Sequence, residues 1–119
     1  MSVADEVILT TSYVVAGREI EREIEVITAE CVFGMNIIRD FFNSVRDILG
    51  GRSGSTQDVL RDARKTALQE LRNEAASLGA DAVIAIDLDY HEMSGGNKNG
   101  MLMIVASGTA VKLSAGRSV

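Results

Sequence analysis

The sequence predicts an α+β fold: an antiparallel sheet packed on one long helix, with a shorter helix ahead of it. Three observations carry this. Leu60, Ala63, Ala67, Leu71, Ala75 and Leu78 recur at three- and four-residue spacing and Gly79 follows them, the pattern of an amphipathic helix with a glycine stop. Arg18–Glu25 alternates apolar and charged residues and runs on through Val26–Val32, and Ala82–Tyr90 (AVIAIDLDY) divides into two faces at strand spacing. Ser94–Gly100 (SGGNKNG) then leads into Met101–Leu113, so the last two strands form a hairpin with a long loop.

Taken in order, Val7–Val15 (VILTTSYVV) is β-branched and ends at Gly17, which reads as a short strand. In Arg18–Glu25, Ile20 and Ile24 alternate with glutamates. This half-exposed strand continues through Val26–Val32 and ends at Gly34. Asn36 is placed to cap a helix of about three turns in which Ile37, Ile38, Phe41, Phe42, Val45, Ile48 and Leu49 share one face. Gly50-Gly51 stops it. Ser55-x-x-Asp58 resembles a capping box and starts the long helix. In the strand Ala82–Tyr90, alternation places Ile84, Ile86, Leu88 and Tyr90 on one face and Val83, Ala85, Asp87 and Asp89 on the other. In the last strand both faces are largely apolar: Leu102, Ile104, Ala106, Gly108 and Ala110 on one, Met101, Met103, Val105, Ser107, Thr109 and Val111 on the other. The long helix covers only one of these. The second needs the 37–49 helix, another copy of the chain, or both, which predicts a homo-oligomer.

At 119 residues the chain is a single domain spanning 1–119. Only five residues are aromatic, Tyr13, Phe33, Phe41, Phe42 and Tyr90, so the core is built from Val, Ile, Leu, Met and Ala. The net charge is −5, with basic residues interleaved among acidic ones. Without a basic stripe, nucleic acid is not an expected partner. The longest purely apolar run is Met101–Ala106, too short for a membrane span, and no signal peptide is evident. Cys31 is the lone cysteine. It excludes an internal disulfide and suits a reducing cytoplasm.

Three groups of residues carry candidate chemistry. In the turn Gly50–Ser55, Gly51, Arg52 and Ser53 sit before a helix start, where backbone N–H groups and a guanidinium can cradle a phosphate or carboxylate. The turn is not a P-loop, because it lacks the Lys-Ser/Thr ending and a preceding strand. The structural alternative is two helix ends, with Arg52 paired to a neighbouring subunit's carboxylate. Asp87 and Asp89 share a strand face, with carboxylates about 6–7 Å apart along the strand, and can hold a hard divalent cation. The alternative is pairing with arginines such as Arg39 or Arg52. Cys31, His91, Met93, Met101 and Met103 include the thiolate, imidazole and thioether donors of a soft heavy-metal site. One Cys and one His do not complete a zinc site within a single chain, so such a site would be shared between subunits. The alternative is a buried thiol, a surface imidazole and gap-filling methionines. No nucleophile–base pair is evident. An enzyme with an intersubunit site, using Glu30 with Asp87 and Asp89, is the weaker expectation.

Five blocks, in order, resemble the YbjQ-like family: Asn36–Phe42 (NIIRDFF), Arg46–Gly54 (RDILGGRSG), Leu78–Val83 (LGADAV), Ile86–Tyr90 (IDLDY), and Met101–Met103 with Ser107–Val111 (MLM…SGTAV). The resemblance covers roughly Leu9 to Lys112. It implies an α/β subunit with an antiparallel sheet, similar to dodecin subunits, assembled as a ring-shaped homopentamer. The family carries a heavy-metal-binding label without an established function, so a divalent or heavy metal ion is the implied cofactor. Cys31 and His91 fall outside the five blocks. The expected function is a cytoplasmic homo-oligomer that binds a metal ion or small anion at subunit contacts, the alternative a purely structural or interaction oligomer.

Overall fold

In the computed structural model, residues 3–34, 54–94 and 100–115 are described. A short 3-10 turn, Val3–Glu6, leads into β1 (Ile8–Leu9). Then follow β2 (Ile20–Gly34), α1 (Gly54–Ser77), β3 (Ala82–Ser94) and β4 (Gly100–Leu113). The strand order is β1-β3-β4-β2. β2 and β3 each pair antiparallel with β4, while β1 pairs parallel with β3. The α+β class therefore holds, with a sheet that is mixed rather than wholly antiparallel. The expected helix at 37–49 and the loop residues 95–99 lie outside the described residues.

The long helix forms where its apolar stripe predicts. Ala63, Ala67, Leu71 and Ala75 are fully buried, whereas Leu78 is 39% exposed. The helix already includes Gly54, so Ser55 lies within its first turn rather than ahead of it. Its end is a Schellman cap. Gly79 has φ +77°, its N–H donates to Ala76 O, and the Ala80 N–H donates to Ala75 O. The alanines let the helix lie close to the sheet. The main core joins them to Ile27, Ala29, Val83, Ile86, Ile104, Ala106 and Ala110.

β3 departs from simple alternation at one point. Ile84 pairs with Thr109 and Asp87 with Ser107, so Ala85 and Ile86 together stand opposite Gly108. This is a β-bulge, and Ala85 takes φ 55°. The bulge inverts the face assignment. Val83 belongs to the core under α1, while Ile84 joins a second cluster with Ala82, Val111 and Leu113. Past the bulge, Ile86 and Leu88 face α1. The expected face of Ile84, Ile86, Leu88 and Tyr90 is thus corrected at Ile84 and Val83.

The same bulge explains why the expected strand Val7–Val15 shrinks to Ile8–Leu9. Thr10 donates to Val83 O and accepts from the Ile86 N–H, and Ser12 O accepts from the Ala85 N–H. The ladder breaks where Ala85 turns left-handed, and the chain bends away, leaving Tyr13 78% exposed. It returns so that Val15 and Ile20 cover the second cluster. The Arg18 guanidinium holds this arm by donating to Ser114 O from Nη2 at 3.0 Å and from Nε at 3.3 Å. One end of the far sheet face is therefore covered from within the chain.

A left-handed alanine is strained relative to glycine. Ala85→Gly is expected to stabilise the fold by about 0.5–1 kcal/mol, read as a higher urea midpoint with unchanged slope. A lower midpoint would contradict the strain.

Candidate functional site

Beyond the bulge, β2, β4 and β3 run in unbroken register. Thr28, Ser107 and Asp87 form one cross-strand row, Glu30, Val105 and Asp89 the next, and Val32, Met103 and His91 the third. Ile104 and Ala106 of β4 are buried under α1, so these rows occupy the opposite face. There Thr28, Glu30, Asp87, Asp89 and His91 are all exposed. With strands about 4.8 Å apart, Glu30 stands roughly 10 Å across the sheet from Asp89. The Thr28 hydroxyl donates to Glu30 Oε2 at 3.3 Å.

Asp87 and Asp89 are near enough on this face for one carboxyl to influence the ionisation of the other. The charge of Asp89 comes first, and a hydrogen bond between the two carboxyls second, in raising the Asp87 pKa above the ordinary aspartate value. Two like charges side by side disfavour double ionisation, and a cation between them would relieve the repulsion. Among the described residues, no three His, Cys, Asp or Glu side chains are grouped so that they could hold a metal ion. A complete ligand set on this face therefore requires donors from elsewhere.

Cys31 is not one of them. It pairs with Ile104 and packs against the core under α1, on the side away from His91. The expected grouping of Cys31, His91 and the methionines is therefore split. Met101 and Met103 share the His91 face by register, and the thiol lies behind the sheet. Strand parity separates them: 31 and 91 sit on strands whose aligned residues through Ile104 and Met103 differ by one position. Burial, then the Glu70 carboxylate, raise the Cys31 pKa above the ordinary thiol value. A raised pKa makes a thiol a weaker nucleophile and metal ligand than an ordinary one at the same pH.

Cys31 instead lines a second feature, a groove of about 460 Å³ between β2 and α1, with Thr28, Ala29, Glu30, Val32, Thr66, Glu70 and Glu74. The sequence carries a signal for it that the apolar stripe conceals. Thr66, Glu70 and Glu74 recur every four residues beside Ala63, Ala67, Leu71 and Ala75, and so form a polar flank on the same helix. Gly51, Arg52 and Ser53, the candidate anion cradle, lie outside the described residues.

Among the described residues, a small α+β subunit with one helix-covered sheet face, a second face bearing exposed acids and a long outermost strand is the class of protein that these features define. A family model described as "Putative heavy-metal-binding" matches residues 7–114. A UPF0145 protein of Geobacillus thermodenitrificans (strain NG80-2) is 44% identical over 106 residues, covering 89% of this chain and 98% of the relative. A UPF0145 protein of Geobacillus kaustophilus (strain HTA426) is 43% identical, covering 89% and 97%. The crystal structure of a protein of unknown function from Pediococcus pentosaceus ATCC 25745, in the DUF74 family, is similar in fold. Its TM-score is 0.54 at 17% identity, covering 91% of this chain and 98% of that one. The chain belongs to the YbjQ-like family. Among the described residues, no helix is long and apolar enough to cross a membrane.

Proposed function

We propose that this chain is a cytoplasmic homo-oligomer, pentameric as the family resemblance implies, that binds a divalent metal ion on its open sheet face. The observation that carries this is the Asp87–Asp89 carboxyl pair, two interacting acids on the exposed face that also bears His91 and Glu30. Among the described residues one copy gathers no full ligand set, and in this reading donors from a second copy complete the site. Carboxylate oxygens and one imidazole suit a hard or borderline divalent ion. Cys31 faces away, so this face offers no thiolate to a soft heavy metal.

Metal analysis of the purified protein, calorimetry with a panel of divalent ions and light scattering test the proposal together. An oligomer that takes up ions, and an Asp87→Asn variant that stays oligomeric but binds about tenfold more weakly or worse, are expected. A monomer, or an oligomer that neither contains nor binds any ion, would sink it. Binding should also weaken on acidification. Because the Asp87 pKa is raised, protons compete with the ion at a higher pH than for an ordinary carboxylate. Calorimetry at stepped pH values reads this, and affinity that rises on acidification would contradict it.

A further inference from the structure

We infer that the open edge of β2 is a strand-addition site for an extended protein segment with basic side chains at alternate positions. Among the described strands, β2 is the outermost on its side of the sheet. Its register with β4 runs unbroken from Glu25 to Gly34, after the shift between Glu23 and Glu25. The chain has no proline, so none of the usual proline blocks interrupts this edge. Among the described residues, no hydrogen bond reaches its outer backbone from another segment over 25–34. Such an edge is a template for a further strand.

The surroundings specify the occupant. α1 lies over β2 and β4 more than over β3, so it overhangs the open edge instead of the sheet centre. The groove beneath that overhang is walled by Thr28–Val32 on one side and by Thr66, Glu70 and Glu74 on the other. Four strand steps span about 13 Å and eight helix residues about 12 Å, so the two walls run side by side. Among the described residues the helix flank of the groove holds two carboxylates, Glu70 and Glu74, and the lining includes no lysine or arginine. A strand added here presents alternate side chains to the helix flank, where Glu70 and Glu74 select cations. The intervening side chains face the other way, beside Val26, 74% exposed, and Val32, 50% exposed. Those positions favour β-branched neighbours. The incoming segment therefore carries Lys or Arg on one face and Val, Ile or Thr on the other.

A peptide alternating lysine and valine, and a control alternating glutamate and valine, test this on the whole protein. Amide hydrogen exchange and iodoacetamide alkylation of Cys31, which lines the groove, are the readouts. The lysine peptide is expected to slow exchange along 26–34 and to shield the thiol. The glutamate peptide should bind about tenfold more weakly, the difference that two surface ion pairs supply. A Glu70→Lys/Glu74→Lys variant, whose exposed positions should not unfold it, should invert the preference. Binding of neither peptide, equal binding of both, or an unchanged preference in the variant would overturn the inference. So would edge amides protected in the free protein in proportion to its concentration and not released by peptide, which would assign the edge to a second copy. Metal binding at Asp87 and Asp89 is unaffected by any of these outcomes, so the two proposals fail separately.

Discussion

Gly108→Ala is expected to destabilise the protein by about 3 kcal/mol. A Cβ built on Gly108 would sit 2.6 Å from Val83 Cγ1, 3.0 Å from Ile84 O and 3.1 Å from Ile86 Cγ1. None of these atoms can retreat cheaply. Val83 is fully buried, the Ile84 carbonyl is backbone, and Ile86 lies in the bulge held by the Thr10 and Ser12 carbonyls. The glycine is thus required for close approach across the bulge, not for its dihedral freedom. Urea unfolding measures the loss, and for a domain of this size the melting temperature should fall by roughly 10–15 °C. The pair Val83→Ala with Gly108→Ala should recover part of the loss, because removing the Val83 methyls removes the nearest clash. A cost under about 1 kcal/mol would show that the strands separate easily here, against the close packing of interiors.

Leu71→Ala is expected to cost about 3–4 kcal/mol. Among the described residues Leu71 is the one large side chain of the stripe that is fully buried, the other fully buried members being Ala63, Ala67 and Ala75. Its removal leaves a cavity that short alanines on the same helix cannot fill. Leu71→Met, which keeps the volume, should cost less than about 1.5 kcal/mol. Domains of this kind have about 5–15 kcal/mol in total, so Leu71→Ala should leave a protein that unfolds well before the parent in urea. A cost equal to that of Leu71→Met would show that α1 settles onto the sheet to close the cavity.

Much of the fold is legible in the residues. The α1 stripe, Gly79 as its stop, and the two long strands β2 and β4 follow from periodicity, because helix and strand periods are written directly into the spacing of apolar residues. That Asp87 and Asp89 share one face was legible for the same reason; their exposure was not. The β3 bulge was not. Nothing in Ala82–Tyr90 marks a left-handed residue, since alanine does not prefer that conformation. The bulge arises from the backbone bonds that Thr10 and Ser12 make across the sheet. Those long-range bonds also shortened the first strand and set Val15 over the second cluster. Residue spacing along one strand carries no account of such partners.

The candidate chemistry divides along the same line. The sequence by itself determined which side chains are available: a lone thiol, a lone imidazole, a pair of aspartates and a polar flank on the long helix. It also determined the alternation that orients each along its own strand. Only the tertiary structure decided which of them meet. Strand order placed β2 at the edge and aligned Glu30, Val105 and Asp89 in one row. Register put Cys31 under α1 and His91 on the far face, so a soft-metal grouping plausible in one dimension is divided by the sheet. The physical reason is that hydrogen-bonded register between distant strands, and the side-to-side position of a helix over them, are set by contacts far apart in the chain. Local periodicity fixes a face within each element and is silent on what lies across from it.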